Sequence, residues 1–312
     1  MYAAGPPMDA GDTDPRSGPL RVVGAARRTF GGFSDHAFDP RLRVFLTDLV
    51  RPFDLPLRND LLDNGAGHSY GEMAAEVVLA AVPADAPVDL LVMAFGIHDI
   101  RLGRSTASYL SEICPGDAMA FAVCDQGAAA AFTALRLIGE YGRSGVCERA
   151  VLVVVEQSAL HYQQASPAQV PERHSAVAVF FEQSTDGNHT VVRQHADVSP
   201  QLAGALLADD VAALSAGRTD VTLVLGNGLT QFGHTYLADR MVLAPTGQPY
   251  TGPWWELAGG LAEWQAEGRL VLLAEYEPTL RYLALSAVDF GPAPMAMPPA
   301  VPIAVPGRQW TS

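Results

Sequence analysis

The chain has 312 residues, 49% hydrophobic and 17% charged, with 34 acidic against 20 basic side chains and a formal charge of −14. This is the composition of a globular protein, and the acidic excess excludes a general nucleic-acid binder, which needs a basic face. Every basic residue is arginine, so a Schiff-base lysine, a pyridoxal-phosphate lysine and a P-loop lysine are excluded as well.

Residues 1–18, rich in Gly, Pro and Asp, read as a mobile leader without the basic and apolar regions of a signal peptide. Eight arginines fall within the first 60 residues (Arg16, Arg21, Arg27, Arg28, Arg41, Arg43, Arg51 and Arg58). They read either as a solvated face or as a basic patch for an acidic partner. Short apolar runs then predict central strands covered on both faces: 20–25, 88–95, 118–123, 149–157 and 175–183, with an edge strand from 189. A second series follows at 220–227, 241–245, 269–277 and 281–290. Helices are expected at 68–83, from Gly127 onward, at 201–217 and at 252–268.

Both series run helix, strand, strand, turn, helix, strand, strand. This is the order of a duplicated α/β unit, and right-handed crossovers make each unit a mostly parallel sheet covered by helices. The expected division is a leader at 1–18, an N-terminal half at 19–197, a C-terminal half at 198–290 and a Pro-rich tail at 291–312. The tail cannot be regular helix or central strand. No apolar run reaches the roughly 18 residues that span a bilayer. Cys114, Cys124 and Cys147 lack metal-ligand spacing, so neither a zinc site nor a disulfide framework is expected, and a reducing cytoplasm fits.

The segments 88–110, 120–138, 149–159, 223–228 and 267–286 together resemble the thiolase superfamily, above all its ketoacyl synthase III branch. The resemblance covers about residues 20–290 and implies a thiolase-like five-layer α/β/α/β/α fold with two duplicated halves. It implies acyl thioesters of CoA or an acyl carrier protein as substrates, no resident cofactor or metal, and a homodimer joined along the strand at 118–123. It also implies a nucleophilic Cys at the strand-to-helix turn, with His and Asn from the second half. A thiol there would be activated by the helix N-terminus, whose N–H groups would bind the thioester oxyanion.

This chain departs from that pattern at all three positions. Gly127, or Ala128 with a slip of one, stands for the nucleophile, Asn227 for the histidine, and Tyr250 or Thr251 for the asparagine. The replacement candidates are Cys124 as a displaced nucleophile or a small buried hydrophobe, and Asp125 as a helix cap or an acid/base group. His98 and Asp99, and His161 and Tyr162, follow two of the strands. His234 is a substitute for the missing histidine, and Trp254 lines an acyl channel or packs the core. Gly226 and Gly228 lack the third glycine of a dinucleotide fingerprint. Two readings follow: an acyltransferase or condensing protein of specialised metabolism with the usual set replaced, or a catalytically inactive ketosynthase-like partner subunit.

Overall fold

The computed structural model describes residues 19–101, 103–163, 169–184, 190–215, 217–230 and 238–291. The strands are β1 (Leu20–Phe30), β2 (Leu90–Ala94), β3 (Met119–Val123), β4 (Arg149–Glu156), β5 (His174–Gln183), β6 (Thr190–His195), β7 (Val221–Leu225), β8 (Arg240–Leu243), β9 (Leu270–Glu277) and β10 (Tyr282–Asp289). The helices are α1 (Pro40–Val50), α2 (Asn59–Asp63), α3 (Tyr70–Ala81), α4 (Thr106–Ile113), α5 (Ala130–Arg143), α6 (Pro200–Ser215) and α7 (Gly252–Glu267).

The strands form two five-stranded sheets with one topology, β1-β5-β4-β2-β3 and β6-β10-β9-β7-β8. In each sheet the two pairs nearest the turn-bearing edge are parallel and the other two are antiparallel. The sheets are therefore mixed rather than mostly parallel. The strand expected from 189 is indeed an edge strand, β6, but it hydrogen-bonds to β10 and so counts with the second sheet. Three of the apolar runs read as central, those of β1, β3 and β8, also lie at sheet edges. Met119 in β3 and Leu243 in β8 are accordingly exposed.

Side chains alternate across each strand, and that alternation builds the layers. Leu152 and Val154 of β4 and Val271 and Leu273 of β9 meet Phe132, Leu135 and Ile138 of α5 and Trp254, Leu257 and Leu261 of α7 in one core. Val151, Val153 and Val155 of β4 turn outward onto α3 and Leu110 of α4, while Leu272 and Tyr276 of β9 turn outward onto α6. The order is α3/α4, sheet, α5/α7, sheet, α6, which is five layers. The small Ala130, Ala131 and Ala134 let α5 lie buried between the sheets.

The helix ends follow local chemistry. Asp39 accepts from the Arg41 N–H at 2.9 Å ahead of Pro40 and starts α1, as a capping aspartate and a proline at the first position should. Gly268 at φ 64° ends α7, the left-handed residue that commonly closes a helix. No helix among the described residues is long and apolar enough to cross a membrane.

The four arginines of the α1–α2 region do not form a basic patch. Arg41 pairs with Asp39, Arg43 with Asp63, Arg51 with Asp48 and Arg58 with Asp60. An aspartate close by in sequence or space neutralises each.

Candidate active site

The turn between β3 and α5 is where the strand series delivers the chain to the central layer. Gly127 opens a single 3-10 turn, Gly127–Ala129, with φ 52°, a left-handed conformation that glycine adopts without strain. Ahead of it, Cys124 is exposed rather than buried. Its thiol donates to Asp125 Oδ2 at 3.4 Å. Partial burial, that hydrogen bond and the aspartate charge all push the Cys124 pKa up, the reverse of what makes a thiolate nucleophile. Asp125 does not cap the helix. It sits at φ 62°, and Gln126 holds the cap position without a side-chain bond.

The space beside Gly127, where a nucleophile was expected, is filled by a carboxylate from the other half of the chain. Glu277, the last residue of β9, accepts from the Ala128 N–H through Oε2 at 3.0 Å and from the Thr279 N–H through Oε1 at 3.1 Å. A Cβ on Gly127 would overlap that carboxylate. Ala128 itself packs with Ile97, Leu160 and Tyr250, and the Tyr250 ring covers Gly96 so closely that no side chain fits there. The Tyr250 hydroxyl donates to the Gln169 carbonyl at 2.8 Å.

The same device appears at the other central helix. Glu156, the last residue of β4, accepts from the Tyr250 and Thr251 N–H groups at 2.9 and 3.2 Å, just ahead of α7. Its other oxygen accepts from Ser175 Oγ at 2.7 Å and from Thr251 Oγ1, and Gln248 Nε2 donates to both hydroxyls. Each half thus sends a strand-end glutamate into the start of the other half's central helix, where unpaired N–H groups and the helix dipole favour a negative charge. Burial pushes the Glu156 pKa up against these hydrogen bonds.

A third acid, Glu275, shares the inner face of β9 with Glu277. Its Oε1 accepts from the Gly228 and Tyr276 N–H groups, both at 2.9 Å, while its Oε2 has no partner among the described residues. Glu156, Glu275 and Glu277 are only 1%, 2% and 7% exposed. Burial, the largest cause, together with the Glu277 charge raises the Glu275 pKa to about 8, against the opposing pull of its N–H donors.

A carboxyl that titrates at 4.5 unfolded and about 8 folded takes up protons on folding between those values. Stability therefore falls as pH rises through that window and levels off above it, by roughly 5 kcal/mol in all. Gln in place of Glu275 keeps an oxygen for the two N–H donors and removes the titration. Glu275→Gln is thus expected to unfold at the same denaturant concentration as the parent at pH 5 and at a clearly higher one at pH 9. A parent midpoint that stays flat across that range would refute the assignment.

The remaining expected residues scatter. Asn227 donates through Nδ2 to the Pro245 carbonyl at 3.1 Å. His161 is buried, bonds through Nε2 to the Ala66 carbonyl at 2.8 Å, and has its pKa lowered by that burial. His98 stacks on Tyr162 with ring centroids 5.7 Å apart, its pKa lowered by burial and by His161. Asp99 accepts from the Tyr70 and Arg101 N–H groups and the Thr106 hydroxyl. Thr251 is buried against Glu156, and Trp254 packs on Phe132 in the central core rather than lining a channel. His234 lies outside the described residues. Among the described residues no three His, Cys, Asp or Glu side chains are placed to hold a metal ion. A cavity of about 340 Å³, lined by Arg58, Ser158, Leu160, Tyr162 and Val170, shares Leu160 and Tyr162 with the cluster around Ala128.

Two duplicated mixed sheets enclosing two central helices, with a left-handed turn opening the first, form a thiolase-like fold. No family model and no curated protein matches the sequence, but solved structures match most of the chain. The 3-oxoacyl-(acyl carrier protein) synthase III, FabH, from Pseudomonas aeruginosa is similar at a TM-score of 0.54 and 15% identity, over 88% of this chain and 100% of its own. AbyA1, a tetronic acid condensing enzyme, is similar at 0.58 and 15%, over 86% and 99%. A variant of OleA from Xanthomonas campestris is similar at 0.52 and 15%, over 87% and 98%.

Proposed function

We propose that this chain is a ketosynthase III-like protein without acyl-enzyme chemistry, a non-catalytic subunit of a complex that handles acyl thioesters on CoA or an acyl carrier protein. The observation that carries this reading is Glu277. Its carboxylate occupies both the N–H group that would bind a thioester oxyanion and the volume that a nucleophile on Gly127 would need. An anion already seated there repels a second one. The matching role of Glu156 at α7, a plain helix-start ligand, marks Glu277 as a closing contact of the same kind. The cavity beside Leu160 and Tyr162 leaves room for a carrier arm next to the closed turn. The likeness to a tetronic acid condensing enzyme suits a place in specialised metabolism, in the cytoplasm, as a dimer paired along the exposed β3 edge.

A second reading, direct acyl transfer from a bound thioester with Glu277 as general base, draws on the paired acids Glu275 and Glu277 beside α5. One experiment separates the two. Intact-protein mass and product formation are followed with a panel of acyl-CoA and acyl-carrier-protein donors. The proposal expects no added mass and no turnover, in the parent and in Cys124→Ala alike. A mass increment lost in Cys124→Ala would overturn it, and turnover lost in Glu277→Gln would establish the second reading instead.

A further inference from the structure

Residues 33–67, which carry α1 and α2, dock on the body of the chain through a small core of their own. Ala37, Leu42, Leu46 and Leu62 form it and meet the body at Ile100 and Tyr162. The Arg58 N–H donates to the His161 carbonyl at 2.8 Å, the Gln163 N–H donates to the Pro56 carbonyl at 2.9 Å, and Leu57 bridges to Tyr162. Gly32, at φ 79° with open space around it, precedes the segment, and Gly67, at φ 118° against Gln157 and His161, closes it. Backbone of this kind can absorb a hinge rotation. The segment gives Arg58 and Leu61 to one wall of the 340 Å³ cavity, and the body gives Ser158, Leu160, Tyr162 and Val170 to the other.

Five of the chain's eight histidines, His36, His68, His98, His161 and His174, gather at this seam. His161, 3% exposed, lies under the segment and donates through Nε2 to the Ala66 carbonyl. His174 accepts from the Ser158 N–H through Nδ1 at 3.3 Å, a bond that a proton on that nitrogen would break. Its ring centroid is 4.8 Å from that of His68, the residue directly after Gly67. His98 stacks on Tyr162. The charged groups nearby are Arg58, paired with Asp60, on the segment, Asp99 and Arg101 after β2, and Glu72 on α3. Arg101 and Glu72 are turned to His36, and Asp99 favours a charge on His98 without outweighing its burial.

We infer that residues 33–67 are an acid-released flap: proton uptake by His98, His161 and His174 opens the seam and uncovers the cavity. This holds whatever the cavity takes. Burial lowers the pKa of all three, His161 adds to the lowering at His98 and His174, and His68 adds to it at His174, which falls to about 4. A histidine held neutral under the flap and returned to 6.5 when it lifts binds protons on opening. The open form therefore gains as pH falls through 6.5, and the gain levels off below the closed-state value. His174 alone makes the open form about tenfold more populated at pH 5.5 than at pH 7.5, and His98 and His161 add to that.

Hydrogen exchange of the full chain at pH 7.5 and 5.5 tests this, read as protection factors so that the intrinsic pH dependence of exchange cancels. Protection of α1 and α2 is expected to fall at least tenfold at the lower pH, with that of β4 and β9 unchanged. His161→Gln/His174→Asn keeps a donor for the Ala66 carbonyl and an acceptor for the Ser158 N–H but cannot titrate, so it should lose at least nine-tenths of this response. A parent whose α1 and α2 protection is flat with pH would overturn the inference. So would a double variant that responds as the parent does, or a parent in which β4 loses protection in parallel, which is global acid unfolding. If the double variant is already unprotected at pH 7.5, His174→Asn alone decides: the acid response should drop at least threefold, and an unchanged response overturns the inference.

Discussion

Glu156→Ala is expected to lower the unfolding free energy by roughly 3–5 kcal/mol, among the largest effects of any single side chain here. The carboxylate is almost wholly buried and accepts from two backbone N–H groups and two hydroxyls. Truncation leaves the Tyr250 and Thr251 N–H groups without an acceptor in a dry interior, each at the cost of its uncompensated desolvation. Glu156→Gln separates charge from shape. It keeps one carbonyl oxygen for the N–H pair and turns an NH2 toward Ser175 and Thr251, whose hydroxyls can rotate to accept. About half the loss should return. Chemical denaturation at pH 7 measures both. A Glu156→Ala loss below about 1 kcal/mol would show that the start of α7 is held by packing alone. Because the burial-raised pKa means that the folded chain binds a proton more readily than the unfolded one at this site, the parent's advantage over Glu156→Gln should shrink as pH rises.

These two strand-end glutamates also mark where the sequence could be read and where it could not. Period-two burial and apolar runs are local, so β2, β4, β5, β7, β9 and β10 follow from composition alone, and their recurrence reveals the duplication. A charge ending such a run is also local. The Glu after VLVVV and the two in LAEYE are carboxylates that enter the interior with their strands, and that was the available signal for the centre of the molecule. Their partners could not be read, because Ala128 and Tyr250 lie 149 and 94 positions away in sequence. Cys124 failed for a related reason. Its strand is apolar in sequence but lies at a sheet edge, and edge position is a property of the whole topology. α1 was missed because its arginines and outward Val44, Phe45 and Leu49 erase the two-sided pattern that identifies a helix.

Gly127→Cys places a thiol at the turn by one substitution, and it is expected to fail twice over. The new Cβ overlaps the Glu277 carboxylate and stands at φ 52°, a backbone region that costs a side-chain-bearing residue about 1 kcal/mol. Glu277 can swing away, but then it gives up the Ala128 N–H and leaves a buried charge short of a donor. The sum should be roughly 2–4 kcal/mol of lost stability, with no acylation by any thioester. Glu277→Ala alone frees the Ala128 N–H and opens the volume. In Gly127→Cys/Glu277→Ala the overlap is gone, so the double variant should be more stable than the sum of the single losses by about 1–2 kcal/mol. Its thiol then sits at the start of α5 with an N–H free for an oxyanion, and an acyl-CoA should leave a covalent increment on residue 127 that the single variants lack. Strict additivity in the cycle, or acylation of Gly127→Cys with Glu277 in place, would mean that the carboxylate does not close the turn.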